Sequence, residues 1–276
     1  MSARRLLLVL GLVALAGPTD TRAEDRLVFL GHATVLLELD GTRILTDPVF
    51  AARYSPFHRR FIPEPDTALW QSVDAVLISH PHPDHLNPET LARIPGHVPV
   101  LLSASAARHA LHTGHLLRML RPGEAARVGR ITVIATRAYH PGGRAGFEPG
   151  LSGGALGFVL RTPERTVYVS GDTSWWPGIK EIGRRHHPDL AVLHINAHLS
   201  GDEALRAVVD LGAPPVVAVH HGAYGGPNER ARGGRHAYLE ARLGPLFWAP
   251  EVGDTLRLEG IGPDRPASVR AFGNRR

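Results

Sequence analysis

The hydrophobic positions of this chain fall into short apolar runs that are separated by glycine, proline and aspartate, a pattern typical of short β-strands. The runs predict strands at 27–30, 35–39, 43–46, 73–79, 131–138, 155–161, 166–170, 190–195 and 216–219. Apolar residues at helical spacing predict helices at 88–94, 104–112, 201–211 and 236–243. The dipeptide Asp40-Gly41 predicts a tight hairpin turn between the second and third strands.

Strands and helices occur in two successive halves, about 26–138 and 155–258, and only a glycine-rich loop at 141–154 lies between them. No long linker divides the chain, so we expect a single α/β domain over residues 24–276. In this domain two β-sheets should pack together, with helices covering their outer faces.

The N-terminus has the order of a secretory signal peptide. Arg4 and Arg5 precede an apolar run at 6–16, and a short polar stretch then ends at Ala23. The run is too short to span a bilayer, which takes about 20 residues. We therefore expect residues 1–23 to be a signal peptide and the protein to be exported, either to the periplasm or out of the cell. The alternative is an N-terminal element of the core.

The amino-acid composition excludes several kinds of reactive and metal-binding site. A chain of 276 residues that is 43% hydrophobic and 21% charged is an ordinary globular protein. It has no cysteine, which excludes disulfides, thiolate metal sites and thiol nucleophiles. The net charge is +5, but the basic residues form only one local cluster, Arg53, His58, Arg59 and Arg60. We do not expect a nucleic-acid partner, since such proteins group their positive charge.

The sequence His80-Pro81-His82-Pro83-Asp84-His85 directly follows a predicted buried strand. Crowding several imidazoles without a cation costs desolvation energy and gives no packing in return. His80 and His82 can face one point, while Asp84 and His85 can face a second point nearby. The motif therefore predicts a site for two metal ions.

Three further residues of ligand type follow other predicted strands: His140, Asp172 and His220. Loops at strand ends can direct such side chains toward a shared site. His221 is a rival to His220, because a shift of one residue reverses the side of an extended chain to which a side chain points.

In this order the residues resemble the metallo-β-lactamase-fold hydrolases, and the resemblance covers nearly the whole chain. It implies an αββα sandwich, in which two mixed β-sheets are flanked by helices and the site lies at one edge. It also implies that Asp172 bridges two metals, and it favours His220 over His221. The implied ligands are His80, His82 and His140 for the first metal, and Asp84, His85 and His220 for the second.

Shorter stretches, at 29–34, 45–50, 74–80, 181–185 and 198–204, resemble the N-acyl-phosphatidylethanolamine phospholipase D group and its lactonase-like neighbours. This resemblance implies a hydrolase in which a metal-activated hydroxide cleaves an ester-type bond, first of all a phosphodiester. Opening of a lactone or β-lactam ring is the alternative. The partner would be a small-molecule or lipid substrate, with peripheral contact to a membrane.

Imidazole and carboxylate ligands without thiolate suit Zn²⁺, and Mn²⁺ or Fe²⁺ also fit. We therefore expect two divalent metal ions, first of all zinc. Asp84 is expected to orient the attacking water. His198 resembles the histidine that reaches the substrate in the phospholipase-like group; the alternative is a surface histidine at the start of a helix. A non-catalytic metal-binding protein is a different class, but the complete set of seven ligands argues against lost chemistry.

Several other residues have two interpretations each. His32 and Asp47 are expected behind the site, where Asp47 either orients a ligand histidine or forms a turn before Pro48. One aromatic set either lines a pocket around the metals or packs in the core: Phe57, Trp175, Trp176 and Tyr224. Three histidines at helical spacing, His109, His112 and His115, are expected on a solvated helix face.

Overall fold

The structure is a computed structural model that describes residues 24–140, 154–225, 229–261 and 273–274. The predicted signal peptide and almost all of the predicted loop at 141–154 lie outside these ranges. Within them, none of the helices combines the length and the hydrophobicity that crossing a bilayer requires.

The first sheet is mixed and has eight strands, numbered here along the chain. They are β1 (Arg26–Gly31), β2 (Thr34–Leu39), β3 (Thr42–Thr46), β6 (Ala75–Ile78), β7 (Val100–Leu102), β8 (Leu117–Met119), β17 (Thr255–Arg257) and β18 (Gly273–Asn274). Their order is β18-β17-β1-β2-β3-β6-β7-β8. Strands β1 to β3 pair antiparallel, whereas β3, β6, β7 and β8 run parallel.

The second sheet is also mixed and has seven strands. They are β9 (Ala125–Val128), β10 (Ile131–Arg137), β11 (Leu156–Arg161), β12 (Thr166–Val169), β13 (Leu190–His194), β14 (Val216–Val219) and β16 (Phe247–Trp248). Their order is β16-β14-β13-β12-β11-β10-β9, and β12, β13, β14 and β16 are parallel. A small third sheet has the order β15-β5-β4 and consists of β4 (Arg53–Ser55), β5 (His58–Arg60) and β15 (Tyr224–Gly225).

Helices cover the outer faces of both large sheets. The first sheet carries α1 (Thr67–Trp70), α2 (Pro88–Leu91) and α3 (Ala104–Ala110), and the second carries α4 (Gly178–His186), α5 (Gly201–Asp210) and α6 (Glu229–Leu243). Two short 3₁₀ helices complete the set, Leu111–Thr113 and Gly244–Leu246.

The alternation of side chains along each strand explains the layers. In β2, Leu37 packs between the two sheets against residues such as Phe158 and Val192, whereas the adjacent Leu36 faces the outer helices together with Trp70. Successive side chains of a strand point to opposite faces, so each sheet buries both faces. The expected αββα sandwich is confirmed.

The structure differs from the sequence prediction in several elements. Helix α4 is not predicted, because Gly178 and Gly183 weaken its helical pattern. Gly183 is required by packing: a Cβ there would lie 2.3 Å from the carbonyl oxygen of Asp210 at the end of α5. Helix α6 begins at Glu229 rather than at residue 236. Strands β7, β8 and β9 are also missed, since runs of three or four residues carry little periodicity and depend on their sheet neighbours.

Candidate metal centre

The residues of ligand type meet at one edge of the sandwich because several strands end there. Strand β6 of the first sheet leads into His80, while β10, β12 and β14 of the second sheet lead toward His140, Asp172 and His220. Loops that leave neighbouring strands at the same edge can bring side chains distant in sequence together. Each sheet therefore supplies part of the cluster.

Three imidazoles form the first group. The Nδ1 atom of His82 lies 2.9 Å from Nε2 of His80 and 3.1 Å from Nε2 of His140. His80 and His140 are buried, and His82 is partly exposed. A zinc ion takes nitrogen ligands at about 2.0–2.1 Å, so nitrogens about 3 Å apart have the spacing of ligands around a single ion.

The second group contains His85, His220 and Asp84. The two Nε2 atoms of His85 and His220 are 3.2 Å apart, and Oδ2 of Asp84 lies 3.9 Å and 3.5 Å from them, respectively. His32 is fully buried behind this group, with Nε2 3.1 Å from Oδ2 of Asp84. The ligand atom of His32 also lies within 4.8 Å of those of Asp84, His85 and His220, so His32 directly adjoins the second group.

A short backbone bridge holds His220 in place. The amide of His32 donates to the carbonyl of His221, and the amide of His220 donates to the carbonyl of His32, each at 2.6 Å. His220 has φ +77°, a left-handed conformation that is uncommon for residues other than glycine. The bridge joins the loops of the two sheets and directs the His220 side chain toward Asp84.

Asp172 lies between the two groups. Its buried Oδ1 is 3.4 Å from Nε2 of His85 and 3.5 Å from Nε2 of His220, yet it accepts no hydrogen bond from the described residues. A ligand atom of Asp172 is also within 4.8 Å of those of His80 and His85. The preceding Gly171 has φ +59°, and a Cβ there would lie 2.5 Å from the carbonyl oxygen of Leu156. The turn that places Asp172 therefore requires glycine.

Asp47 and Ser79 form a hydrogen-bonded support under both groups. Asp47 accepts from the Ser79 hydroxyl at 2.6 Å and from Nδ1 of His85 at 2.8 Å. The Ser79 proton is committed to the carboxylate, so Nδ1 of His80, 3.0 Å from the hydroxyl oxygen, must be the donor. His80 then carries its proton on Nδ1 and leaves the lone pair of Nε2 facing the centre, and the bond from Nδ1 of His85 to Asp47 likewise directs Nε2 of His85 inward. Asp47 therefore holds the ring of His85, in agreement with the first of its two interpretations.

Ionisation in the cluster suits cation binding. Burial lowers the pKa of His80, His82 and His140, for His140 to about 4, so these imidazoles are neutral near pH 7 and able to bind metal. Burial acts to raise the pKa of Asp172, but the charges of His220 and His85 hold it well below its usual range. Burial likewise opposes charge on His85, yet the carboxylates of Asp172 and Asp84 raise the pKa of His85 well above its ordinary value. The ionised carboxylates of Asp84 and Asp172 beside the His85 ring therefore favour the binding of a cation.

Three further histidines lie near the cluster. His198 is exposed, its ring is 4.4 Å from that of His140, and its ligand atom is within 4.8 Å of those of His140 and Asp172. His194, which the sequence analysis missed, is fully buried 5.7 Å from the His85 ring; its position at a strand end was the available signal. His221 points elsewhere, with Nε2 2.8 Å from the carbonyl oxygen of Pro250.

The four aromatic residues do not form one pocket around the cluster. Trp175 and Trp176 pack on the outer side of the second sheet, where Trp176 lines a cavity of about 490 Å³ with Ile134 and Ile182. Tyr224 is buried near His32, whereas Phe57 is exposed. Core packing is therefore the correct interpretation for the two tryptophans.

The expectation of a solvated helix face is wrong for one of the three histidines at helical spacing. His115 is half-buried, and its two ring nitrogens lie 2.9 Å and 2.8 Å from the carbonyl oxygens of Val98 and Leu91. It follows α3 and its 3₁₀ extension, so the helical spacing that predicted a solvated face does not continue to this residue.

All seven predicted ligand residues therefore converge, and their donor set fits divalent metal ions. The described residues hold two adjoining groups of nitrogen and oxygen donors, with a buried carboxylate oxygen between them that lacks a hydrogen bond. Imidazole with carboxylate is the donor chemistry of zinc and of comparable transition metals.

Comparisons with known proteins agree with this geometry. The family described as "Beta-lactamase superfamily domain" matches residues 42–221. A metal-dependent hydrolase of Methanoregula boonei is 33% identical over 204 residues, which cover 72% of this chain and 82% of that protein. An uncharacterised protein of Mycobacterium tuberculosis is 34% identical over 237 residues, 77% of this chain, and the matched region spans only 63% of the relative.

A solved structure supports the same fold. The crystal structure described as a possible metal-dependent hydrolase from Veillonella parvula superposes with a TM-score of 0.73 at 21% identity, covering 86% of this chain and all of that one. The family match covers well over half of the chain and includes all seven converging residues. The chain therefore belongs to the beta-lactamase superfamily and has the metallo-β-lactamase fold.

Proposed function

We propose that the protein is a metal-dependent hydrolase that works with two divalent metal ions. His80, His82 and His140 would hold the first ion, and Asp84, His85 and His220 the second, with Asp172 between them. The observation that carries the proposal is the buried carboxylate of Asp172, which lies beside both groups and whose Oδ1 accepts no hydrogen bond from the described residues. A buried carboxylate oxygen that accepts no hydrogen bond is costly unless a cation satisfies it.

Zinc is the metal that the donor set favours. The proposed ligands are five imidazoles and two carboxylates, and the chain has no cysteine to offer a thiolate. Mn²⁺ and Fe²⁺ accept the same donors, and the carboxylate of Asp172 suits these harder ions. Elemental analysis of the purified protein distinguishes the three.

The protein's own groups prepare the site for hydrolysis. When bound, the two ions would supply Lewis acidity and lower the pKa of water toward neutrality. Asp47 and Ser79 contact Nδ1 of His85 and His80 and so direct the Nε2 atoms of both rings inward. His32 contacts one oxygen of Asp84 and so leaves the other to orient water. His198, at the exposed side of the site, would contact the substrate or its leaving group.

We propose that the substrate contains an ester-type bond, first of all a phosphodiester, which the protein hydrolyses. The support is the resemblance of five stretches of the chain to the phospholipase D-like group, together with an exposed histidine on the solvent side of the cluster. Lactone and β-lactam rings are the alternative substrates, since the same ions would polarise a carbonyl group.

The experiment that tests this function is a substrate comparison with zinc-loaded and manganese-loaded protein. Hydrolysis rates would be measured for a bis-aryl phosphodiester, a phospholipid, an acyl-homoserine-type lactone and a β-lactam. We expect phosphodiester cleavage that a chelator abolishes and added metal restores. Metal-bound protein that is inactive toward all four would contradict the proposal and favour the non-catalytic class.

His198→Ala is expected to lower kcat by about a hundredfold while leaving metal content unchanged. The reason is that removal of a group that transfers a proton to the leaving group costs a factor of this order. Rates for substrates with good and poor leaving groups provide the check: the loss should be larger for the poor leaving group. If metal is lost, His198 is a ligand instead; if kcat is unchanged, it is a surface residue.

Replacement of His220 and replacement of His221 should affect the metal content differently. We expect His220→Ala to remove about one metal equivalent, because its Nε2 lies 3.5 Å from both Asp84 and Asp172. His221→Ala should retain the wild-type content, since its Nε2 contacts the carbonyl oxygen of Pro250. Elemental analysis of both proteins decides the matter, and a comparable loss in His221→Ala would reverse the assignment.

A further inference from the structure

A hairpin with aromatic and positively charged side chains stands beside the metal centre. Strands β4 and β5 form it, and β5 also pairs with β15, which begins four residues after His220. Tyr54 on the hairpin packs against the buried rings of His32 and Tyr224, at centroid distances of 5.5 Å and 4.8 Å. The hairpin is thus attached to the same edge of the sandwich that carries the cluster.

Two large apolar side chains of this hairpin are exposed to solvent. Phe57, at the turn, is 79% exposed, and Phe61, just after β5, is 60% exposed. Other phenylalanines, such as Phe29 and Phe158, are almost completely buried in the core. Both exposed rings belong to the same nine-residue segment, and an exposed apolar patch marks a surface that contacts an apolar partner.

The charges of the hairpin are all positive. Arg53 and Arg59 are exposed and lie directly opposite each other in the antiparallel pair, an unfavourable arrangement for like charges. Residues 51–63 contain no aspartate or glutamate, and the following Glu64 is paired with Arg93 at 2.7 Å. An anionic partner would remove this repulsion.

Arg60 has a different, structural role. Its guanidinium group donates to the carbonyl oxygens of Val49 and Pro63 at 3.3 Å and 3.2 Å, and it lies over the rings of Phe50 and Tyr224. These contacts hold the base of the hairpin on the domain. Arg53, Phe57 and Arg59 remain exposed on a hairpin whose base is attached to the domain.

We propose that this hairpin, residues 53–61, docks the protein on an anionic lipid surface. Phe57 and Phe61 would enter the acyl region, and Arg53 and Arg59 would contact headgroup phosphates. A nine-residue protrusion is small for a stable protein interface, which buries about 800 Å² on each partner. A few apolar side chains with adjacent cations are sufficient for reversible attachment to an anionic membrane.

Docking does not depend on catalysis, so it can be tested separately from the proposed function. The metal-loaded full chain would be sedimented with vesicles of phosphatidylcholine, with and without phosphatidylglycerol. The variants are Phe57→Ser/Phe61→Ser and Arg53→Ser/Arg59→Ser, with Val209→Ser/Arg127→Ser as a matched control at exposed positions elsewhere. The apolar N-terminal run is present in every protein, so differences between them report on the hairpin.

We expect wild type and control to bind vesicles that contain phosphatidylglycerol. The phenylalanine variant should bind at least about tenfold more weakly, because two apolar side chains no longer leave water. The arginine variant should bind about 25-fold more weakly and lose its preference for the anionic lipid, since each arginine contributes about a fivefold factor. Unchanged metal content and Tm would show that the variants fold.

A second measurement reports on the hairpin directly. The chain has no cysteine, so Phe57→Cys can be labelled with an environment-sensitive fluorophore, with Val209→Cys as the control. Anionic vesicles should shift the emission to the blue at position 57 only. Three results would overturn the proposal: no shift, vesicle binding that neither hairpin variant weakens, or a change of oligomeric state in the phenylalanine variant, which would identify a second copy as the partner.

Discussion

Asp172→Ala is expected to reduce hydrolysis by about a thousandfold or more and to remove at least one metal ion per chain. This carboxylate is the one that lies beside both groups of donors, with Oδ1 3.4 Å from Nε2 of His85. Its loss would leave two cations without the ligand that joins them, and several kcal/mol of transition-state stabilisation correspond to about three powers of ten in rate. The measurements are kcat/KM with the preferred substrate and metal content by elemental analysis.

Two further variants make this result specific. Asp172→Asn keeps the size of the side chain but removes its charge, so it should fold normally and remain almost inactive. Asp202→Ala, at an exposed position in the first turn of α5, should match wild type in activity and metal content. Full activity with full metal content in Asp172→Ala would exclude the bridging role.

The double variant His80→Ala/His85→Ala is expected to lose nearly all bound metal. It removes one ligand from each group, and both residues are fully buried, so no nearby surface group can replace them. Metal should therefore stabilise wild type but not the variant, because a ligand that binds only the folded state raises its stability by about 4 kcal/mol at a thousand times Kd.

Thermal unfolding with and without added zinc gives the readout for this variant. In wild type, Tm should fall when a chelator removes the metal and should recover when zinc is returned; in the variant, Tm should respond to neither. His97→Ala/His112→Ala, at two exposed histidines, is the matched control and should behave like wild type. If the double variant kept both metal equivalents and the metal-dependent Tm, the proposed centre would be in the wrong place.

Much of this centre was predictable from the sequence because its residues follow a simple local rule. His80, His140, Asp172 and His220 each come shortly after an apolar run that forms a strand, and strand ends at one edge of a sandwich are neighbours in space. Asp47 also directly follows a strand, β3. His194 also ends a strand, but it stood inside the predicted run and was therefore taken as part of the strand.

Other features were invisible because they depend on contacts between distant segments. Helix α4 is weak in intrinsic propensity and exists because Gly183 allows close approach to the end of α5. The choice between His220 and His221 depends on a left-handed backbone and on a bridge to His32, nearly two hundred residues earlier in the chain. Likewise, the sequence did not place Trp176 outside the site or Phe57 at an exposed hairpin tip.

The sequence by itself therefore determined the class of fold, the residues available for metal binding and the exclusion of cysteine chemistry, since periodicity and side-chain type are local properties. The tertiary structure alone decided the distances between the donors, which imidazole nitrogen each histidine presents, and the backbone bridge that directs His220 rather than His221 to the site. It also decided that the arginines of the hairpin face each other beside two exposed phenylalanines. These features depend on distances and hydrogen bonds between segments remote in sequence, which only the packing of the two sheets brings together.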